Sequence, residues 1–213
     1  MRSHLELEVV LPYRVSVDDV PSILDRHEQW IMDRHRILAS RDEASGQSLM
    51  PSSVSLDFLG QTWDLQLLAG DRARLENAGS VLRLTCPSGR QDLGLTLLQR
   101  FLIQVGRDHL APLCRRLSLQ SAIPISNVQI RNQSTRWGSC SARGVISLNA
   151  KLLFLSPVLA RHVMLHELCH VAHRNHGPSF WRQLEELDPQ TREHDALLRR
   201  AWDRLPAWSK IRP

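Results

Sequence analysis

Residues 163–171 read VMLHELCHV, and this run constrains the chain more than any other. Val163, Met164, Leu165, Leu168 and Val171 give a helix here an apolar setting, so it is expected to be buried. The same run carries His166, Glu167 and His170, and buried imidazole and carboxyl groups need partners. Histidines at i and i+4 lie one above the other with Cβ atoms about 5–6 Å apart. Both rings can then reach one ion at the zinc–nitrogen distance of about 2.0–2.1 Å. Glu167 sits about 100° further round the helix and does not share that face. It reaches a water beside the ion, where a carboxylate serves as general base.

Catalytic zinc sites commonly take three protein ligands and leave a fourth position open. His176 follows His170 to complete HExxHxxxxxH, and Asn175 with Gly177-Pro178 supplies the turn that would bring it back. His173 would serve instead only if the helix continued unbroken. Glu185 or Glu186, on the next helix, is the alternative third ligand, ranked below the nearer His176. A metzincin needs glycine where His173 stands and a methionine downstream, and none follows Met164. Cys86, Cys114, Cys140 and Cys169 are scattered without a CxxC pair and read as reduced thiols. Cys169 points away from the face of His170. His162, one turn before His166, is expected to pack or to face substrate, and His194 on the last helix to be solvated.

With 213 residues, 42% hydrophobic and 23% charged, the chain can bury a core and is neither disordered nor low in complexity. No apolar run is long enough to span a membrane. The first residues lack a continuous apolar segment, so a cytoplasmic address is expected. The net charge of +5 permits an anionic partner without demanding one. The expected elements are a strand at 4–11, a helix over 17–39, a polar loop at 41–53, a hairpin of 54–59 and 62–68 around Gly60-Gln61, and a strand at 81–85. Then come a helix over 92–120 kinked or broken at Pro112, and strands at 127–131 and 145–148. Helices starting at Ser156-Pro157, Gly177-Pro178 and residue 190 complete the reading. The division expected is a β-rich N-terminal subdomain (1–90), a catalytic subdomain (91–205) and a loosely packed tail (206–213).

The run Arg136-Trp137-Gly138-Ser139-Cys140-Ser141, then Ile146-Ser147-Leu148-Asn149, HELCH, Asn175-His176 and Phe180-Trp181 resembles the YgjP-like metallopeptidase family, a relative of the SprT-like and WLM zinc peptidases. The match in order and spacing covers about residues 92–200. It is weaker in the N-terminal half, through the Trp30 helix and Leu59-Gly60. His162 and Met164 depart from the aromatic and branched residues usual before the first histidine, and Gly177-Pro178 stands where serine more often follows the third. The resemblance implies an α+β, zincin-like fold: a small mixed or antiparallel sheet on an active-site helix. It also implies zinc on His166, His170 and His176, with Glu167 catalytic.

The expected function is zinc-dependent cleavage of peptide bonds in a peptide or protein substrate. A hairpin from Asn127 to Asn149 would offer its edge to an extended peptide. Arg136, Asn149 and His162 are the candidates for substrate binding or oxyanion support; Arg136 suits a carboxylate or phosphate. Trp137, Gly138 and Cys140 read as packing and turn residues, and Tyr13 is too distant in sequence to nominate. Two alternatives stand beside this. One is a zinc-dependent nucleotide phosphohydrolase or pyrophosphatase on the same site. The other is a non-catalytic zinc module that binds nucleic acid, against which Glu167 argues, because a structural zinc needs no base.

Overall fold

The two apolar runs on either side of Gly60-Gln61 form the expected hairpin, β1 (Ser53–Leu56) and β2 (Gln61–Ala69), with Ser53 opposite Asp64 and Leu56 opposite Gln61. Gly60 closes the turn at φ +61°, a conformation that favours glycine. The computed structural model describes residues 49–211 together with Val20, Pro21 and Leu24, which are helical. The strand expected at 4–11, the rest of the 17–39 helix and most of the 41–53 loop lie outside the described residues.

Two further strands, β3 (Arg74–Ala78) and β4 (Val81–Cys86), complete a sheet of order β1-β2-β4-β3, in which β2 and β4 run parallel. The sequence reading contains no β3. Its residues are exposed except for the half-buried Leu75, so pairing with β4 holds it rather than an apolar face. Val54, Leu56, Trp63, Leu82 and Leu84 are buried from this sheet and join one core that runs on from Leu95 to Trp208.

Helix α1 (Gln91–Gln120) supplies the long stripe of that core: Leu95, Leu98, Leu102, Leu110, Cys114 and Leu117 recur at helical spacing. Of the kink or break expected at Pro112, there is no break: the helix runs continuously through it. The proline is exposed, while Ala111 and Cys114 beside it are buried, so packing on either side holds the helix across the missing hydrogen bond. Gly106 lets α1 approach the second sheet closely; a Cβ there would lie 2.9 Å from Ile130 Cγ2.

The second sheet corrects the expected hairpin. β5 (Asn127–Arg131) and β7 (Val145–Asn149) are parallel, with Asn127 opposite Val145. A parallel pair needs a crossover, not a tight turn. The connecting segment passes to the other side of β7 and forms β6 (Gly138–Cys140), antiparallel, with Gly138 opposite Leu148. β7 takes the centre because Ile146 and Leu148 are fully buried, and β6 becomes an edge.

Asn149 caps a short 3-10 turn, Ala150–Phe154, which leads into α2 (Pro157–Ala172). Ser156 is the N-cap of α2 and Pro157 its first residue, as expected. α2 is buried on nearly every side, under the second sheet and against α1 and the helices that follow, α3 (Pro178–Leu187) and α4 (Thr191–Ala201). The fold is thus α+β, with a small mixed sheet on a central helix. The tail corrects another expectation: α5 (Ala207–Lys210) buries Trp208, which meets Phe154 edge to face. Buried Gln99 of α1 donates from Nε2 to the carbonyls of Trp208 and Ile211. Trp208→Ala should therefore cost roughly 3–5 kcal/mol in urea unfolding; a change under about 1 kcal/mol would mean the tail is dispensable.

Candidate metal centre and active site

α2 places His166 and His170 on one face, one turn apart, with ring centroids 5.0 Å apart. The helix ends at Ala172, and His173 is already extended at φ −120°, ψ 104°. His173 is therefore not on a continuing helix. Its carbonyl instead accepts a hydrogen bond from His170 Nδ1 at 2.9 Å. That bond fixes the His170 ring and leaves Nε2 facing outward. The turn through Asn175 returns His176, whose Nε2 lies 3.0 Å from His166 Nε2. One ligand-type atom from each of His166, His170 and His176 lies within 4.8 Å of the others. Glu185 is not in this group; it faces solvent beside Arg192. Glu186 is also exposed.

Beneath the three rings lies Phe180, fully buried, with its centroid 4.9, 4.7 and 4.7 Å from those of His166, His170 and His176. The Gly177-Pro178 start of α3 puts it there, a role the sequence reading did not assign. Half-buried Trp181 stacks at a tilt beside His176 at 5.8 Å. Burial, then the neighbouring rings, pushes His166 down to about 4, so this imidazole is neutral at physiological pH, the form that binds metal. His170 is lowered by the same cause.

Glu167 is buried, and burial raises its carboxyl to about 7, with Arg136 pulling the other way. The carboxyl rests on β6. A Cβ on Gly138 would lie 2.7 Å from both Cγ and Oε1 of Glu167. Gly138, expected as a turn residue, is instead a strand residue whose missing side chain makes room for Glu167. Burial raises the Cys169 thiol to about 12, and Cys169 stands outside the histidine group.

Asn149 and His162, both candidate substrate residues, are buried in other networks. Asn149 Oδ1 accepts from Lys151 N, while Nδ2 donates to the carbonyls of Gln133 and Arg136 at 2.9 and 2.8 Å. Buried Lys151 donates from Nζ to Gln133 O and Asn132 Oδ1. Together they pin the 132–137 loop that delivers Arg136, Trp137 and Gly138. Burial lowers Lys151 to about 8.

His162 lies between two carboxylates, with Nδ1 2.5 Å from Asp188 Oδ2 and Nε2 3.1 Å from Asp195 Oδ1. His194, expected in solvent, is buried and donates to Asp188 Oδ2 at 2.7 Å. Burial alone would raise Asp188; the bonds from His194 and His162 outweigh it and hold the carboxyl below its ordinary value. His162 and His194 both place Nδ1 on the same Asp188 oxygen, so this cluster is a hydrogen-bonded brace joining α2, α3 and α4.

Two cavities of about 380 Å³ each meet at Gly138, His166 and Glu167. One extends past Arg136, Trp137, His162 and Arg199, the other past Cys140, Arg174 and His176. Trp137 is half-buried and packs edge to face on Trp202 at 4.7 Å. Among the described residues, no helix is long and apolar enough to cross a membrane.

Compared with known proteins, residues 1–201 match the family model described as YgjP-like, metallopeptidase domain. No curated protein matches the chain. Among solved structures, the crystal structure of a Wss1 mutant from Saccharomyces cerevisiae aligns over 64% of this chain and 94% of that one, at 16% identity and a TM-score of 0.29.

Two predictions follow from the Glu167 pocket. Gly138→Ala should destabilise the metal-free chain by about 1–3 kcal/mol through overpacking. A double-mutant cycle with Glu167→Ala should recover most of that loss; strictly additive effects would mean the two residues do not compete for space. The second concerns pH. A carboxyl raised from 4.5 to about 7 contributes stability that is complete below about pH 4.5 and lost as pH rises through 7. Glu167→Gln should leave metal-free stability nearly unchanged at about pH 5 and raise it by roughly 2–3 kcal/mol at about pH 9. Parallel profiles for the two proteins in urea unfolding would contradict this.

Proposed function

Because the chain belongs to the YgjP-like metallopeptidase family, we propose that His166, His170 and His176 hold a zinc ion and that Glu167 is the general base of peptide-bond hydrolysis. The donor set fits the ion: three imidazoles converge, and the His170–His173 bond orients one of them from behind. When bound, zinc supplies Lewis-acid polarisation of the scissile carbonyl and makes a nearby water easier to deprotonate.

The observation that carries the reading is the position of Glu167, buried against an edge strand, beside the histidines, where two cavities meet. A carboxyl near neutrality accepts the proton of the attacking water at Oε and later returns it to the leaving amine nitrogen. Its burial keeps bulk water from competing for that proton. Edge strand β6 pairs an extended substrate by backbone hydrogen bonds, and the cavities take the residues on either side of the cut. A groove that continues both ways from the reacting point suits a polymer.

The test is turnover on peptide libraries and, in parallel, on nucleoside triphosphates. Glu167→Gln should keep one zinc per chain and lose peptide cleavage by about a thousandfold. His176→Ala should lose most bound zinc as measured by metal analysis. Wild-type turnover in Glu167→Gln would remove the base. Glu167-dependent phosphate release without peptide cleavage would move the protein to the phosphohydrolases.

A further inference from the structure

We propose that the cavity on the His162 side of Glu167 is a subsite for an acidic substrate side chain, bound by Arg136 and Arg199. The proposal rests on the peptidase reading above and names the substrate residue which that site prefers. Trp137, Val163 and Leu198 give the cavity apolar walls, and it opens directly onto His166 and Glu167. Its volume of about 380 Å³ lies within the range of side-chain and small-ligand sites.

Two arginines line this cavity. Arg136 comes from the loop before β6 and Arg199 from the last turn of α4. Both are exposed, and neither forms an ion pair among the described residues. The lining holds two acids. Glu167 is the proposed base. Asp195 already receives His162 Nε2 on Oδ1, and Asp188 holds His162 from the opposite side. Asp195 is thus engaged by His162 rather than by Arg199, and Arg136 acts on Glu167 only through space, so neither guanidinium is held in an ion pair among the described residues.

A guanidinium binds a carboxylate through paired N–H donors, a geometry that a neutral amide cannot match. The methylenes of a glutamate or aspartate would lie on the walls formed by Trp137 and Leu198. A lysine or arginine there would meet two like charges. The expected substrate therefore carries an acidic residue next to the bond that is cut.

The test uses the zinc-loaded full chain and peptides differing only by Glu, Gln or Lys at each position flanking the cleaved bond. At one of the two positions, kcat/KM for Glu should exceed that for Gln about tenfold, the scale of a charge-assisted hydrogen bond. Lys should be the poorest. The preference should shrink in about 0.5 M salt. In Arg199→Gln the Glu-to-Gln ratio should fall several-fold, with Arg136 retaining the remainder, and Arg199→Lys should restore part of the loss. A wild-type ratio near one, or a ratio unchanged in Arg199→Gln, overturns the subsite. If nothing is cleaved, the peptidase reading fails, and binding decides the subsite separately. Fluorescein-labelled Glu and Gln peptides are then titrated by anisotropy against zinc-loaded Glu167→Gln protein, with and without Arg199→Gln. A tenfold preference that falls several-fold without Arg199 keeps the subsite, and equal binding of the two peptides overturns it.

Discussion

The burial of one carboxyl organises this molecule. Glu167 belongs to a helix with almost no solvent face, so its surroundings must accommodate an acid in a setting that disfavours the charged form. β6 does so by presenting a glycine, since any side chain at Gly138 would take the space of the carboxyl. The strand is only three residues long and lies at a sheet edge, so its own ladder is a weak hold. The hold comes from the loop before it. Asn149 and Lys151 bind the loop carbonyls, and Gln99 of α1 accepts from Asn132 Nδ2 while donating to the C-terminal carbonyls. One hydrogen-bonded path thus runs from the C-terminal helix through α1 to the glycine under Glu167.

Lys151 shows what that support requires. It is one of the most buried side chains in the protein, and its Nζ donates to an amide oxygen and a carbonyl. Burial lowers its pKa to about 8, so the cation is retained at neutral pH only by a modest margin. A residue of that kind is useful for geometry more than for net stability, because an imperfectly compensated buried charge is costly. The Asp188 brace differs: there the carboxyl keeps its charge because two imidazoles donate to a single oxygen. The brace ties three helices together behind the histidine cluster and sets the position of Asp195 in the cavity wall.

Much of the site was legible because its logic is local. An i, i+4 pair on a helix faces one way whatever surrounds it, and a broad apolar arc on the same helix calls for burial. Capping at Ser156-Pro157 and the turn at Asn175–Pro178 are short-range chemistry as well. The misreadings share the opposite property. β6 reads as a connection, because three residues paired only to β7 carry no period of their own. His194 reads as solvated on the last helix, but Asp188, at the end of another helix, supplies its partner. Trp208 lies in a short polar tail, and only Phe154 and Gln99 reveal that it is packed.

Local chain chemistry is enough to place two stacked histidines and a glutamate on a buried helix, a third histidine after a turn, and β-structure ahead of the helical half. Backbone geometry and the cost of burying unpartnered polar groups suffice for that. Tertiary structure alone decided that Phe180 lies under all three imidazoles, that Gly138 yields its side-chain space to Glu167, and that Arg136 and Arg199 share one cavity. Each of these is a contact between residues far apart in the chain, or on separate elements, and no local rule of spacing encodes it. Such contacts arise only when sheet, loop and helices close on one core.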